Sequence, residues 1–84
     1  MSSFALKIVT PVGTVYDGKC DSVVFPGPDG LYGIQANHSP MAALVSPGDI
    51  KITVDGKTVI RKTESGFLKC KDNSVIICSG SITE

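Results

Sequence analysis

Apolar residues alternate with polar ones at a spacing of two along most of this chain, the period of a half-buried β-strand. Phe4, Leu6 and Ile8 share one side of the first run, with Ala5, Lys7 and Val9 on the other. Ile50, Ile52 and Val54 oppose Lys51, Thr53 and Asp55, and Val75 and Ile77 alternate with Ile76 and Cys78. Val, Ile and Thr are frequent, and their branched side chains suit a pleated surface. Turn signals interrupt these runs at short intervals: Pro11-Val12-Gly13, Asp17-Gly18, Pro26-Gly27-Pro28-Asp29-Gly30, Pro47-Gly48, Asp55-Gly56 and Asp72-Asn73. Asp55-Gly56 is the strongest hairpin signal, because a type I′ turn needs positive φ at both central residues. The pattern predicts strands over 4–10, 14–17, 20–26, 31–36, 41–45, 49–55, 57–63, 66–71 and 74–79. Helical periodicity is missing; residues 41–45 are long enough for one turn, but Pro40 and Pro47 bracket them. Many short strands joined by Gly/Pro turns define an all-β chain, a sandwich or a barrel.

The chain has 84 residues, which predicts a single domain over 1–84. A domain of this size buries only about 60–65% of its unfolded surface, so a bound partner adds usefully to its stability. Hydrophobic residues make up 42% of the sequence, enough for one core. Eight Lys+Arg balance eight Asp+Glu. That balance gives no electrostatic reason to expect nucleic acid. Lys57, Arg61 and Lys62, and the alternating Lys69 and Lys71, read as solvated strand faces. No apolar run approaches the roughly 20 residues that span a bilayer, so no direct membrane insertion is expected, and the N-terminus lacks a signal-peptide pattern.

Three cysteines, Cys20, Cys70 and Cys78, lie among Val and Ile without a C-x-x-C spacing. They read as small core hydrophobes in a reducing compartment rather than as disulfides or zinc ligands. His38 is the one histidine, which leaves no pair for a metal site. The Gly-rich stretches lack the helix that follows a phosphate cradle, so they read as turns. Neither a catalytic residue, a metal nor a cofactor is expected. Two other readings stay open at this point. Lys57, beside the Asp55-Gly56 turn, has the placement of a modified lysine in a small all-β carrier domain. Cys70 or Cys78 with His38 is the minimum for a cysteine-dependent hydrolase.

Read as an ordered set, the segments resemble the epsilon subunit of F-type ATP synthases. The stretch LKIVTPVGTVYDGKCDSVVFPG is similar to that family's opening, in which a strand ends in V-T-P-x-G, a second ends near D-G and a third reads S-V-V-x-P-G. PDGLYGIQANHSPMAALVSPGDIKI is similar to its G-x-E-G-E-L-G-I and P-G-H-A-P-L block, and TESGFLKCKDNSVIICSGS to its closing S-G-G-F-L-E-V block. Asp29 keeps one of the family's two loop carboxylates, with Leu31 where the second would stand. His38 and Pro40 persist, while Gln35-Ala36-Asn37 replaces the residues before the histidine.

The resemblance implies a sandwich of about ten short strands in two sheets, in a non-catalytic central-stalk rotor subunit. Such a subunit links the gamma subunit to the c-ring and couples proton flow to ATP synthesis. It implies c-ring contacts at Asp29, Gly30, Leu31, Tyr32 and His38, and gamma contacts at Thr10, His38, Ala42 and Ala43. It also implies a position peripheral to the energy-coupling membrane, on the cytoplasmic face in a bacterium or the matrix or stromal face in an organelle. Family members continue into a helical hairpin that binds ATP or blocks rotation. These 84 residues contain no counterpart, so ATP binding is not expected of them.

Overall fold

The computed structural model describes residues 3–83. Ten strands form: β1 Phe4–Thr10, β2 Gly13–Cys20, β3 Ser22–Gly27, β4 Gly30–Gln35, β5 Met41–Val45, β6 Gly48–Val54, β7 Lys57–Thr63, β8 Gly66–Lys71, β9 Ser74–Ser79 and β10 Ile82–Thr83. They make two five-stranded sheets, sheet A in the order β2-β1-β9-β8-β5 and sheet B in the order β10-β7-β6-β3-β4. All pairings are antiparallel except β1 with β9. The chain is therefore an all-β, two-sheet sandwich. Met41–Val45 is a strand, as its flanking prolines favoured.

The alternation read from the sequence decides what lies between the sheets. Phe4, Leu6 and Ile8 of β1, Leu68 and Cys70 of β8, and Val75 and Ile77 of β9 are buried from sheet A. Val23 and Phe25 of β3, Ile34 of β4, and Ile50 and Ile52 of β6 meet them from sheet B. Each fully buried aliphatic or aromatic side chain is worth about 1.5–3 kcal/mol. Among the described residues the buried polar ones are Thr63 and Ser79. Their hydroxyl oxygens lie 2.7 Å apart, and Ser79 Oγ donates to the Ser81 carbonyl at 2.8 Å. This polar pair joins β7 to β9 across the layer and seats β10, a strand too short for its alternation to be read from the sequence.

Both predicted tight turns at Asp-Gly and Asp-Asn form with left-handed backbone, Asp55 at φ 51° and Gly56 at φ 78°, Asp72 at 54° and Asn73 at 58°. Asp17-Gly18 is different: it is not a turn but the middle of β2, where Asp17 pairs with Lys7 and Gly18 with Leu6. The Tyr16 ring lies at ordinary contact distance from the Gly18 position, and its hydroxyl donates to the Lys19 carbonyl at 2.8 Å. The strand runs on to Cys20, and the chain reverses at Asp21. There the Asp21 N–H donates to the Thr53 carbonyl at 2.8 Å, and Asp21 Oδ2 accepts from the Asp55 N–H at 2.8 Å. A bulge in β2 at Val15 shifts its register against β1.

The strand directions sort the loops into two ends of a body 31 Å long. One end carries the Pro11-Val12 and Pro28-Asp29 turns and the links β5–β6, β7–β8 and β9–β10. The other carries Asp21, the loop 36–40, Asp55-Gly56 and Asp72-Asn73. Hydrogen bonds fasten each end: the Ser46 N–H to the Pro26 carbonyl at the first, and the Asn37 N–H to Asn73 Oδ1 at the second.

Two outcomes test this packing. At Gly66 a Cβ would collide with the Cys78 backbone carbonyl on the neighbouring strand, so Gly66→Ala must push β8 from β9. Overpacking of this kind costs about 1–3 kcal/mol, and a melting curve should fall by about 5–20 °C; an unchanged Tm would mean the two strands are not held this close. Burial pushes the Cys20 and Cys70 thiols up. A folded-state pKa above the unfolded value favours the native state below the free-thiol range near ~8.5, and that contribution is lost as pH rises through the folded values. Stability should therefore decline above about pH 9, as read by Tm against pH, and less so in a Cys20→Ala, Cys70→Val variant. Native iodoacetamide at neutral pH should label Cys78, half-buried on the outer face, ahead of Cys20 and Cys70.

Candidate docking surfaces

The residues singled out from the sequence fall into separate places. Asp29, Gly30, Leu31 and Tyr32 gather at the β3–β4 hairpin, where Gly27 pairs with Gly30 across the two-residue turn Pro28-Asp29. This tip is stiff for local reasons. The Tyr32 ring lies where a Gly27 Cβ would be, and it stacks on Phe25 with centroids 5.6 Å apart and planes at 23°. Tyr32 thus turns its ring along the hairpin, while Leu31, on the opposite face, is 69% exposed. The Pro11-Val12 turn lies at the same end, with Val12 94% exposed.

Thr10 also ends at that end, in the last position of β1. Its Oγ1 accepts from the Val12 N–H at 3.3 Å and donates to the Gly13 carbonyl at 3.2 Å, so its hydroxyl holds the β1–β2 turn. Ala42 and Ala43 separate by strand parity. Ala42 pairs with Lys69 on the outer face of sheet A, and Ala43 pairs with buried Leu68 and packs against the core. His38 lies in the loop at the opposite end from Asp29, across the length of β4. Its Nδ1 contacts the Ser39 carbonyl at 2.8 Å, and its side chain lines a shallow trough on the outer face of sheet B with Ser22, Val24, Gly33 and Gln35. The structure therefore does not bring His38 to the hairpin tip.

Two alternatives from the sequence lose their geometry. Lys57 is not at a turn tip: it is the first residue of β7, paired with Val54, and Asp55-Gly56 form the tip. Cys70 is buried between the sheets with its thiol pushed up by burial, which opposes thiolate formation. Cys78 is on the outer face of sheet A near the Asp29 end, a strand length from the His38 loop. Neither thiol pairs with the histidine.

Sequence reasoning missed the most prominent surface. On the outer face of sheet A the register aligns Val9 with Cys78, Cys78 with Phe67 and Phe67 with Leu44. These four side chains form an apolar row across β1, β9, β8 and β5. Phe67 is 54% exposed and Leu44 66%. Phe67 stands between two depressions, one lined by Val9, Thr10 and Cys78, the other by Ala42 and Leu44. Exposed apolar patches of this continuity mark contact sites. Parity alone was a usable signal, since Leu68 and Cys70 inward force Phe67 outward; which strands lie side by side was not.

Comparison with known proteins agrees with this architecture. The family of the ATP synthase Delta/Epsilon chain beta-sandwich domain matches residues 3–84. The ATP synthase epsilon chain of Leptospira interrogans (serovar copenhageni, strain Fiocruz L1-130) is 37% identical over 79 residues, covering 92% of this chain and 62% of that one. The epsilon chain of Chlorobium limicola is 30% identical over 82 residues, covering 96% and 93%. This chain thus spans less than two thirds of the Leptospira relative but nearly all of the Chlorobium one. Among solved structures, the fold matches a chain of the Euglena gracilis mitochondrial ATP synthase, OSCP/F1/c-ring, in rotational state 1. That match has a TM-score of 0.92 at 16% identity, covering 99% of this chain and 54% of that one. A chain of the Tetrahymena thermophila mitochondrial ATP synthase central stalk/c-ring matches with a TM-score of 0.81 at 16% identity, over 95% and 65%. With the family matched over nearly its whole length and its ten strands in two five-stranded sheets, the chain belongs to the ATP synthase delta/epsilon-chain β-sandwich family.

Proposed function

We propose that this chain is a non-catalytic rotor subunit in the central stalk of an F-type, proton-translocating ATP synthase. In this reading the outer face of sheet A packs on the gamma subunit and the hairpin Gly27–Gly33 rests on the c-ring. Proton-driven rotation of the ring is then passed on to the sites of ATP synthesis. The body lies peripheral to the energy-coupling membrane on the F1 side, the cytoplasmic face in a bacterium and the matrix or stromal face in an organelle. These residues bind neither ATP nor a metal in this role.

The observation that carries the reading is the Val9–Cys78–Phe67–Leu44 row. An isolated domain gains nothing from an exposed Phe and Leu side by side, whereas an interface core needs them. The total surface is 5017 Å², so a standard contact of about 800 Å² per partner would take about one sixth of it. Two such contacts are affordable on one face and one end. The gamma set from the sequence is revised to match: Thr10 and Ala42 border the row, Ala43 supports it from within, and His38 stands apart. At the hairpin, Asp29 offers one exposed carboxylate. An exposed ion pair is worth about 0–1 kcal/mol, so Leu31 supplies the apolar part of that contact.

Co-expression with the cognate gamma subunit tests the assignment. Wild type should co-purify with gamma, and Phe67→Glu, which buries a charge at the centre of the contact, should lose at least tenfold in affinity with its Tm unchanged. A folded Phe67→Glu that binds gamma like wild type would remove the reading. In membranes, Leu31→Asp should leave gamma binding intact and lower proton-coupled ATP synthesis.

A further inference from the structure

The outer face of sheet A is divided by charge as well as by exposure. Two residues along the strands from the apolar row, Lys7 of β1, Ile76 of β9 and Lys69 of β8 stand side by side. One step further, Lys19, Ala5, Ser74 and Lys71 form the next row. Lys7, Lys69 and Lys71 line one shallow depression with Ser74 and Ile76. The carboxylate facing this half is Asp17, opposite Lys7, with Asp72 in the turn after Lys71. Four lysines against these two acids make a basic field on a chain whose formal net charge is zero, so the excess is local and the remaining surface is correspondingly acidic.

We propose that this face selects an acidic amphipathic helix, and that the gamma-type partner docks through such a helix; the second clause rests on the function proposed above. The apolar stripe of the helix covers Val9, Cys78, Phe67 and Leu44, and carboxylates along one flank meet Lys7, Lys69 and Lys71. An exposed sheet face is covered by a helix or by a second sheet, and an apolar row only one residue wide along the strands matches the narrow apolar stripe of a helix. The dimensions agree. Two residues along a strand are about 6.6 Å, close to the roughly 5–6 Å radius of a helix with its side chains. The flank of a helix seated on the apolar row therefore ends within about 1–2 Å of the first lysine row, inside the reach of the lysine side chains. Lysine stems also extend apolar cover around Ile76 while their ammonium groups reach outward. An anionic membrane is the weaker occupant, because a charged plane would also press on Asp17 and Asp72 beside the lysines, whereas a helix sets its carboxylates along one flank only.

The test uses the full chain and the Lys7→Gln, Lys69→Gln, Lys71→Gln triple variant, with Lys51→Gln on the far sheet as control. Wild type should bind cognate gamma more weakly as NaCl rises from 50 mM to 1 M, where the screening length falls to about 3 Å. The triple variant should lose about tenfold at low salt, since each exposed pair contributes up to a few-fold, and should show little salt dependence. Lys51→Gln should match wild type. A designed 18-residue helix of Leu, Ala and Glu should bind and compete with gamma, and the same peptide with Lys for Glu should not. Gamma binding that is unchanged in the triple variant and insensitive to salt overturns this inference while leaving the rotor assignment standing. Failure of wild type to bind gamma removes the rotor assignment, and the peptide pair then decides the chemistry of the face alone. Lysine-dependent binding to phosphatidylserine vesicles that the acidic peptide does not displace would assign the face to lipid and overturn the proposal.

Discussion

The apolar layer between the two sheets sets every other property of this molecule. Side chains on a strand alternate faces, so once Leu6, Ile8, Leu68, Ile77, Phe25 and Ile52 are committed inward, the outward residues are determined without further choice. A slip of one residue in β1, β6 or β8 would place its aliphatic set in water and its lysines in the core. The register is thus fixed by burial, and the outer rows inherit their alignment from it. The apolar row on sheet A is a by-product of the same parity that makes the core, and it exists because four separate strands carry an apolar residue at matching positions.

This explains why the two halves of that face differ. Toward one end the outward positions are Val9, Cys78, Phe67 and Leu44; two residues away they are Lys7, Ile76 and Lys69. The parallel pairing of β1 with β9 is the joint that aligns them, since it brings the N-terminal strand beside the last long one. Without it the apolar residues of β1 and of β8–β5 would lie on separate patches. Parallel pairing cannot be made by a tight turn. It requires the chain to cross to sheet B and return, so this row is assembled by the whole fold and by no local segment.

Much of the fold was legible in the sequence because its signals are local. Nine of the strands follow from alternation and from turns whose backbone demands Asp, Asn or Gly. Asp17-Gly18 misled for a local reason too: a dipeptide suited to a turn is also tolerated in an edge strand, here β2 at the rim of sheet A. The docking surfaces were less legible. The hairpin around Asp29 could be singled out because the motif resemblance falls on one contiguous loop, Gly27 to Gly33. The row through Phe67 was not, because its members are 23 or more positions apart, apart from the two nearest, Phe67 and Cys78. Ala42 and Ala43 looked equivalent in sequence, and a single step of parity separates a surface residue from an inner one. His38 was grouped with the hairpin by the family resemblance, although β4 carries the chain the length of the sandwich between them.

In the proposed role the hairpin tip and the apolar row must not move independently, so the path between them matters as much as the surfaces themselves. Here that path is short and stiff. The hairpin that carries Leu31 is held by the Tyr32 ring on Phe25, and Phe25 belongs to the core. The same core backs Leu68, whose neighbours on β8 present Phe67 outward. A load on the tip therefore reaches the apolar row through close-packed side chains, rather than through loop backbone. Ser46 to Pro26 ties β5 directly to the base of that hairpin, adding a hydrogen bond in parallel with the packed route. Stiffness in this molecule is local at the tip and collective in the layer, and the Gly27 position, where a side chain would displace the Tyr32 ring, is where the two meet.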